Sequence, residues 1–156
     1  MDTLKAKIDD FLAQKVIAVA GVTRNHPNEA ANAIYRKLKG AGYHVYAVNP
    51  NAKSVEGDPC YHDLAAIPEP VDGVVVVTRP ETADKIAREC VQAKVPRAWL
   101  HRSFGPGSVS SEAVTICEQN NITVIAGACP MMYCEPVDTG HKCIRWFLKV
   151  TKKLPN

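Results

Sequence analysis

The sequence predicts an α/β fold: a doubly wound, mainly parallel sheet of five to six strands with helices on both faces. Three observations predict it. Short apolar runs alternate with amphipathic stretches from Val16 to Ala128, the order that builds a parallel sheet. One run, "DGVVVVT", is apolar on both faces, as central parallel strands are. Gly21 closes the first apolar run just ahead of a helical stretch, the turn that opens Rossmann-like folds.

The elements follow in order. Leu4, Ile8, Phe11 and Leu12 recur at helical spacing, so residues 2–13 read as an amphipathic helix. "VIAVAG" is a short buried strand. "PNEAANAIYRKLKGAG" is the next helix, with Pro27 suited to its first turn and Gly40 and Gly42 to its stop. "YHVYAVNP" is the second strand, broken by Asn49-Pro50. "CYHDL" reads as a short third strand leading to a weak helical turn at "LAAI". "DGVVVVT" is followed by the helix "PETADKIARECVQAK", with Pro80 near its start. "RAWLHR" is a strand, and "SVSSEAVTICEQNN" a helix with serines available as caps. "ITVIAGAC" is the last clear strand. A terminal helix is expected at about 139–152.

The totals bound the function. A chain of 156 residues fits one domain, residues 1–156. The formal net charge is +3, and acids interrupt the lysines and arginines, so no nucleic-acid stripe is expected. The longest apolar stretches fall far short of a membrane span, so no membrane partner is expected either. The first residues lack a signal-peptide core. A cytoplasmic protein is the expectation, with its six cysteines as thiols.

In such a fold, ligands bind beyond the carboxyl ends of the strands, at the switch point. The sequence puts distinctive loops there: 21–25, 49–53, 78–80, 101–107 and 127–132. A glycine after strand one lets backbone N–H groups approach a phosphate, and the next helix adds its dipole. Thr23 supplies a hydroxyl, and Arg24 can pair with a phosphate through two nitrogens. The NAD fingerprint is incomplete, because "AGVTRN" lacks its second and third glycines. The acid that normally closes strand two to hold the ribose 2′-hydroxyl is replaced by Asn49. With Lys53 nearby, that end tolerates negative charge. A ligand with a phosphate on its ribose fits, which admits coenzyme A or NADP.

These residues carry a resemblance. "VIAVAGVTRN", "YHVYAVNP", "GDPCY" leading to "LAAIP", "VDGVVVV", the following "RP", and "AWLH" occur in one order across residues 14–130. In this the chain resembles the stand-alone CoA-binding domain family. It is similar to the N-terminal domain of the succinyl-CoA synthetase alpha subunit. The resemblance implies coenzyme A, or an acyl-CoA, held in an extended pose across the strand ends. It implies that Gly21, Val22, Thr23 and Arg24 meet phosphates. Asn49, Pro50 and Lys53 would lie near the adenosine end, and Thr78, Arg79 and Pro80 would line the cleft. The chain departs from the family with "WLHRSFG" where many members have Trp-x-Gln-x-Gly, and with "GACP" where many have Asp-Arg-Cys.

Several residues admit chemistry. His101 ends a strand and reads either as a contact to the pantetheine or as a histidine bonding its own loop. Cys129, Cys134, His141 and Cys143 are close in sequence, but no paired Cys-x2-Cys knuckle supports zinc. Cys129 follows the last strand, where a thiolate facing the cleft could exchange with the thiol of CoA. We assign no catalytic residue and no metal ligand on these grounds. A binding or regulatory module is the leading expectation, with a homodimer or a protein partner through the terminal helices. An NADP-linked oxidoreductase or a CoA-dependent transferase is the alternative.

Overall fold

The computed structural model describes residues 2–26 and 29–155. Its elements run α1 (Leu4–Leu12), β1 (Val16–Ala20), α2 (Ala30–Gly40), β2 (His44–Val48), β3 (Ser54–Val55), β4 (Asp58–Tyr61), β5 (Gly73–Val76), α3 (Pro80–Gln92), β6 (Arg97–Leu100), α4 (Ser111–Gln119), β7 (Thr123–Ala126) and α5 (Thr139–Val150). Short 3-10 turns occupy Leu64–Ala66 and Pro130–Met132. Pro27, expected in the first turn of α2, lies outside the described residues.

The sheet order is β3-β4-β2-β1-β5-β6-β7. Six of these strands pair in parallel, and only β3 runs antiparallel, against β4. In chain order the parallel strands therefore lie 3-2-1-4-5-6, the doubly wound Rossmann arrangement, with its switch point between β1 and β5. The sequence missed β3 and set the edge strand two residues late. The cause is local: Glu56 and Gly57 both take positive φ, 56° and 81°, in a tight hairpin turn. No Asn-Gly or Asp-Gly pair announces that turn.

Side-chain alternation explains why helices cover both faces. Ile17, Val19, Val75, Trp99 and Ile125 enter one core, whose helical cover includes Ile8 and Phe11 of α1, Ile34 and Leu38 of α2, and Leu148 of α5. Ala18, Ala20, Val74, Val76, Ala98 and Leu100 enter the other, with Ala83, Ile86 and Cys90 of α3 and Cys117 of α4. Successive strand residues point to opposite faces, so a strand apolar at every position needs cover on both. Trp99 is fully buried, stacks edge-on against Phe11 at 5.3 Å, and donates from its indole nitrogen to Gly127 O at 2.9 Å.

The caps follow the chemistry of the chain. Thr3 accepts from Ala6 N ahead of α1, Ser110 from Ala113 N ahead of α4, and Asp138 from His141 N ahead of α5. Each satisfies an amide the first turn would leave unpaired. None of the six cysteines is in a disulfide. No described helix is long and apolar enough to cross a membrane.

Candidate functional site

The loops at the carboxyl ends of the strands form two groups, on either side of the switch point. The first group is the turn after β1 together with the β2–β4 segment. Gly21 begins it, with φ at +107°. A Cβ built there would stand 2.0 Å from Val77 O. Glycine is therefore required both by the backbone angle and by the close passage of the chain leaving β5. Val22 is fully buried, while Arg24 is exposed.

Two amide side chains hold this loop. Asn32, only 1 % exposed, accepts from Thr23 N at 2.8 Å and donates to Thr23 O at 2.7 Å and Glu56 Oε1 at 2.9 Å. Glu56 also pairs with Arg36 at 2.7 Å. Asn49 donates to Val22 O at 2.7 Å and accepts from Asn51 N at 2.8 Å. The Thr23 amide is thus spoken for. Thr23 Oγ1 accepts from Asn25 N at 3.2 Å, which leaves its own hydrogen free to donate. The amides of Val22 and Arg24 are bonded to no described residue.

Beside this loop lies an open cavity of about 680 Å³, lined by Arg24, Pro50, Asn51, Lys53, Cys60 and His62, among others. A smaller hollow of about 210 Å³ adjoins it between Thr23, Arg24 and the Glu56-Gly57 turn. Arg24 and Lys53 make no ion pair among the described residues. Two exposed cations on one cavity, with a hydroxyl and amide donors behind them, suit an anion carrying several phosphate oxygens.

The second group is built differently. Ser108, 1 % exposed, accepts from Thr78 N at 2.8 Å and donates to Thr78 O at 2.7 Å. It ties the loop after β5 to the loop after β6. Gly107 lets the β6 loop close on itself: its φ is +59°, and a Cβ would come within 2.4 Å of His101 O. Pro80 opens α3, and Arg79 precedes it as an exposed cap residue. Arg102 N donates to Ala128 O at 2.9 Å, which joins the β6 and β7 loops.

His101 is 9 % exposed, and burial pushes its imidazole down to about 4. Its ring is neutral at pH 7, with Nε2 at 3.5 Å from Ser103 Oγ. Cys129 does not face the cleft as an exchangeable thiolate. It is 3 % exposed, packs into the core beneath α5, and burial pushes its thiol up, where thiolate chemistry is suppressed. The cysteine-rich segment does not converge. Cys143 points outward on α5, Cys134 is buried, and His141 bonds Asp138 at 2.5 Å. Among the described residues, no three His, Cys, Asp or Glu side chains meet to hold a metal ion.

The structure thus brings Arg24, Pro50 and Lys53 onto one cavity, with Gly21, Val22, Thr23 and Asn49 as the frame behind it. Thr78, Arg79, Pro80 and His101 lie in the second group and do not line that cavity. Sequence reasoning missed Asn32 and Ser108. Asn32 carried one signal: an amide flanked by the buried face of a predicted helix. Ser108 read as one serine among several possible caps, a role that Ser110 takes.

These features define a class, a Rossmann-like α/β domain whose strand-end loops frame a cationic cavity. Residues 15–135 match the family model described as CoA binding domain, and the chain belongs to that family. It is 29% identical over 126 residues to the uncharacterized protein YneT of Bacillus subtilis, covering 80% of this chain and 90% of that one. It is 27% identical over 121 residues to acetate–CoA ligase [ADP-forming] I of Archaeoglobus fulgidus, where the match covers 74% of this chain but 18% of the ligase. Among solved structures, a hypothetical protein from Pyrococcus horikoshii OT3 shares the fold at a TM-score of 0.78 and 24% identity, covering 87% of this chain and 92% of that one.

Proposed function

We propose that this protein binds coenzyme A, or an acyl-CoA, as a binding or regulatory module rather than as an enzyme. The observation that carries the proposal is the cavity joining Arg24 and Lys53 at the ends of β1 and β2, in a chain of the CoA binding domain family. Gly21, Val22, Thr23 and Arg24 take the diphosphate. Lys53 takes the 3′-phosphate, and Asn49 and Pro50 shape the adenosine pocket. Thr78, Arg79, Pro80 and His101 line the path of the pantetheine. The bound coenzyme would supply a thiol able to carry an acyl group. The residues of this chain bind and orient it. A neutral His101 supports an uncharged contact there rather than proton transfer near pH 7.

The test is a thermal-shift panel with CoA, acetyl-CoA, dephospho-CoA, NAD and NADP. A ligand at a hundred times its Kd adds about 2.7 kcal/mol of stability. CoA is expected to stabilise more than dephospho-CoA. Arg24→Ala is expected to weaken CoA binding by about 1.5–3 kcal/mol, the loss of a charge-assisted contact. A response to NADP alone would favour an oxidoreductase and overturn the assignment.

A further inference from the structure

α5 is apolar on the side that faces away from the protein. Leu148, 2 % exposed, points inward with Ile144 packed beside it. At 100° per residue, Cys143, Trp146 and Val150 lie on the opposite side, with Phe147 next to them. Their exposure agrees: Trp146 is 67 %, Val150 60 % and Phe147 47 % exposed. A surface helix normally turns polar residues to that side. Here the polar residues are displaced to one flank, as Lys142 and Lys149. Both line a cavity of about 830 Å³ between α1 and α5, whose rim Trp146 shares. That cavity has no residue in common with the strand-end site.

The charge is as uneven as the hydrophobicity. From Thr139 onward the chain carries Lys142, Arg145, Lys149, Lys152 and Lys153, and no acid. With 19 basic and 16 acidic residues in all, the rest of the chain is two charges negative. The protein's net positive charge resides wholly in this one segment. Among the described residues, the amino groups of Lys142, Lys149, Lys152 and Lys153 have no ion-pair partner.

We propose that α5 docks on the surface of an anionic lipid bilayer. Trp146, Phe147 and Val150 enter the boundary between headgroups and acyl chains, and the lysines meet lipid phosphates. A helix with aromatic and aliphatic residues on one side and lysines on the flank lies in such an interface. Each basic residue near the surface adds to the attraction. A second copy fits this face less well. Antiparallel pairing of two α5 helices about a two-fold axis sets the Lys142–Lys149 flank of one copy against the same flank of the other, and like charges oppose. An anionic bilayer neutralises them. The contact is with the surface only, since no described helix can cross.

The test uses the full-length protein with two vesicle preparations, phosphatidylcholine alone and phosphatidylcholine mixed equally with phosphatidylglycerol. Sedimentation with the mixed vesicles alone is expected, with release by high salt. Tryptophan emission is expected to shift to the blue on binding. Trp99, buried and bonded to Gly127 O, gives a constant background, so the shift reports Trp146. Lys149→Gln is expected to weaken binding about fivefold, the worth of one basic residue at an anionic surface. The double variant Trp146→Ser, Val150→Ser is expected to stay in the supernatant with the mixed vesicles while keeping its helical circular dichroism. Equal binding to both vesicle types, or to neither, would overturn the proposal. So would a lipid-free dimer in the ultracentrifuge that the double variant converts to monomer, because a second copy would then cover the face.

Discussion

The two loop groups flanking the switch point are both tied by neutral side chains but differ in how they present charge. The β1–β2 side is held by amides, Asn32 and Asn49, and presents exposed Arg24 and Lys53 around a cavity of about 680 Å³. The β5–β6 side is held by a hydroxyl, Ser108, and presents a buried, neutral His101. Neutral clamps frame both sides, but the first gathers two cations on one cavity, while the second exposes Arg79 ahead of α3 and keeps His101 buried and neutral. A ligand that crosses the switch point therefore meets two cations on one cavity at one end, and Arg79 with a buried neutral imidazole at the other. Coenzyme A carries its phosphates on the nucleotide and an uncharged pantetheine arm, and the paired cations of the first side suit the nucleotide end.

The most severe way to break the arrangement is to separate the two sides where they touch. Gly21→Ala places a Cβ against Val77 O, a backbone atom that cannot swing away, at a φ that disfavours any side chain. The expected loss is at least about 3 kcal/mol of folding stability. Urea denaturation checks it. A midpoint within error of the parent would mean that the β1 and β5 turns can part.

Removing each clamp in turn sharpens the contrast. Asn32→Ala leaves Thr23 N–H and O unpaired in the turn after β1, and Ser108→Ala leaves Thr78 N–H and O unpaired. Each is expected to cost about 1–3 kcal/mol of stability, with Asn32 the larger because it serves two chain segments. Their effects on binding should differ. Asn32→Ala is expected to reduce the preference for CoA over dephospho-CoA, since it loosens the turn carrying Arg24 against the Glu56-Gly57 hairpin. Ser108→Ala is expected to lower affinity for both equally. Calorimetric titration of both ligands into both variants decides it, and equal preference in the two variants would erase the distinction between the sides.

The sequence carried the fold well, because strands such as Val74–Val76 are apolar at every position and Gly21 and Pro80 punctuate the chain where the backbone demands it. It carried the placement of Arg24 and Lys53 beyond two strand ends, where the structure sets both on one cavity. It did not carry the clamps. Asn32 and Ser108 act across 9 and 30 residues of chain, and nothing local marks an amide or a hydroxyl as a bridge between loops. The β3–β4 hairpin was hidden for a related reason, since Glu56 takes a left-handed conformation more often filled by Gly, Asn or Asp. Position in the chain left Cys129 open between the cleft and the strand-end packing, and it is packing that holds it in the core.

The gentlest test reads His101 through pH. The imidazole of His101 is held down to about 4 by burial, against an ordinary value of about 6.5 in the unfolded chain. The folded protein therefore binds fewer protons than the unfolded one between those values, so stability falls as pH drops. The contribution of His101 is fully present above about pH 6.5 and is lost progressively toward pH 4. Between pH 7.5 and 5.5 the loss from this one group comes to about 1 kcal/mol. His101→Gln keeps a polar side chain of similar reach but has no proton to gain. Chemical denaturation of parent and variant at the two pH values isolates the difference from every other titrating group. The variant is expected to lose about 1 kcal/mol less than the parent over that range. Parallel losses would mean that His101 takes up its proton in the folded state. The loop after β6 would then gain positive charge below neutral pH, in addition to that of Arg102.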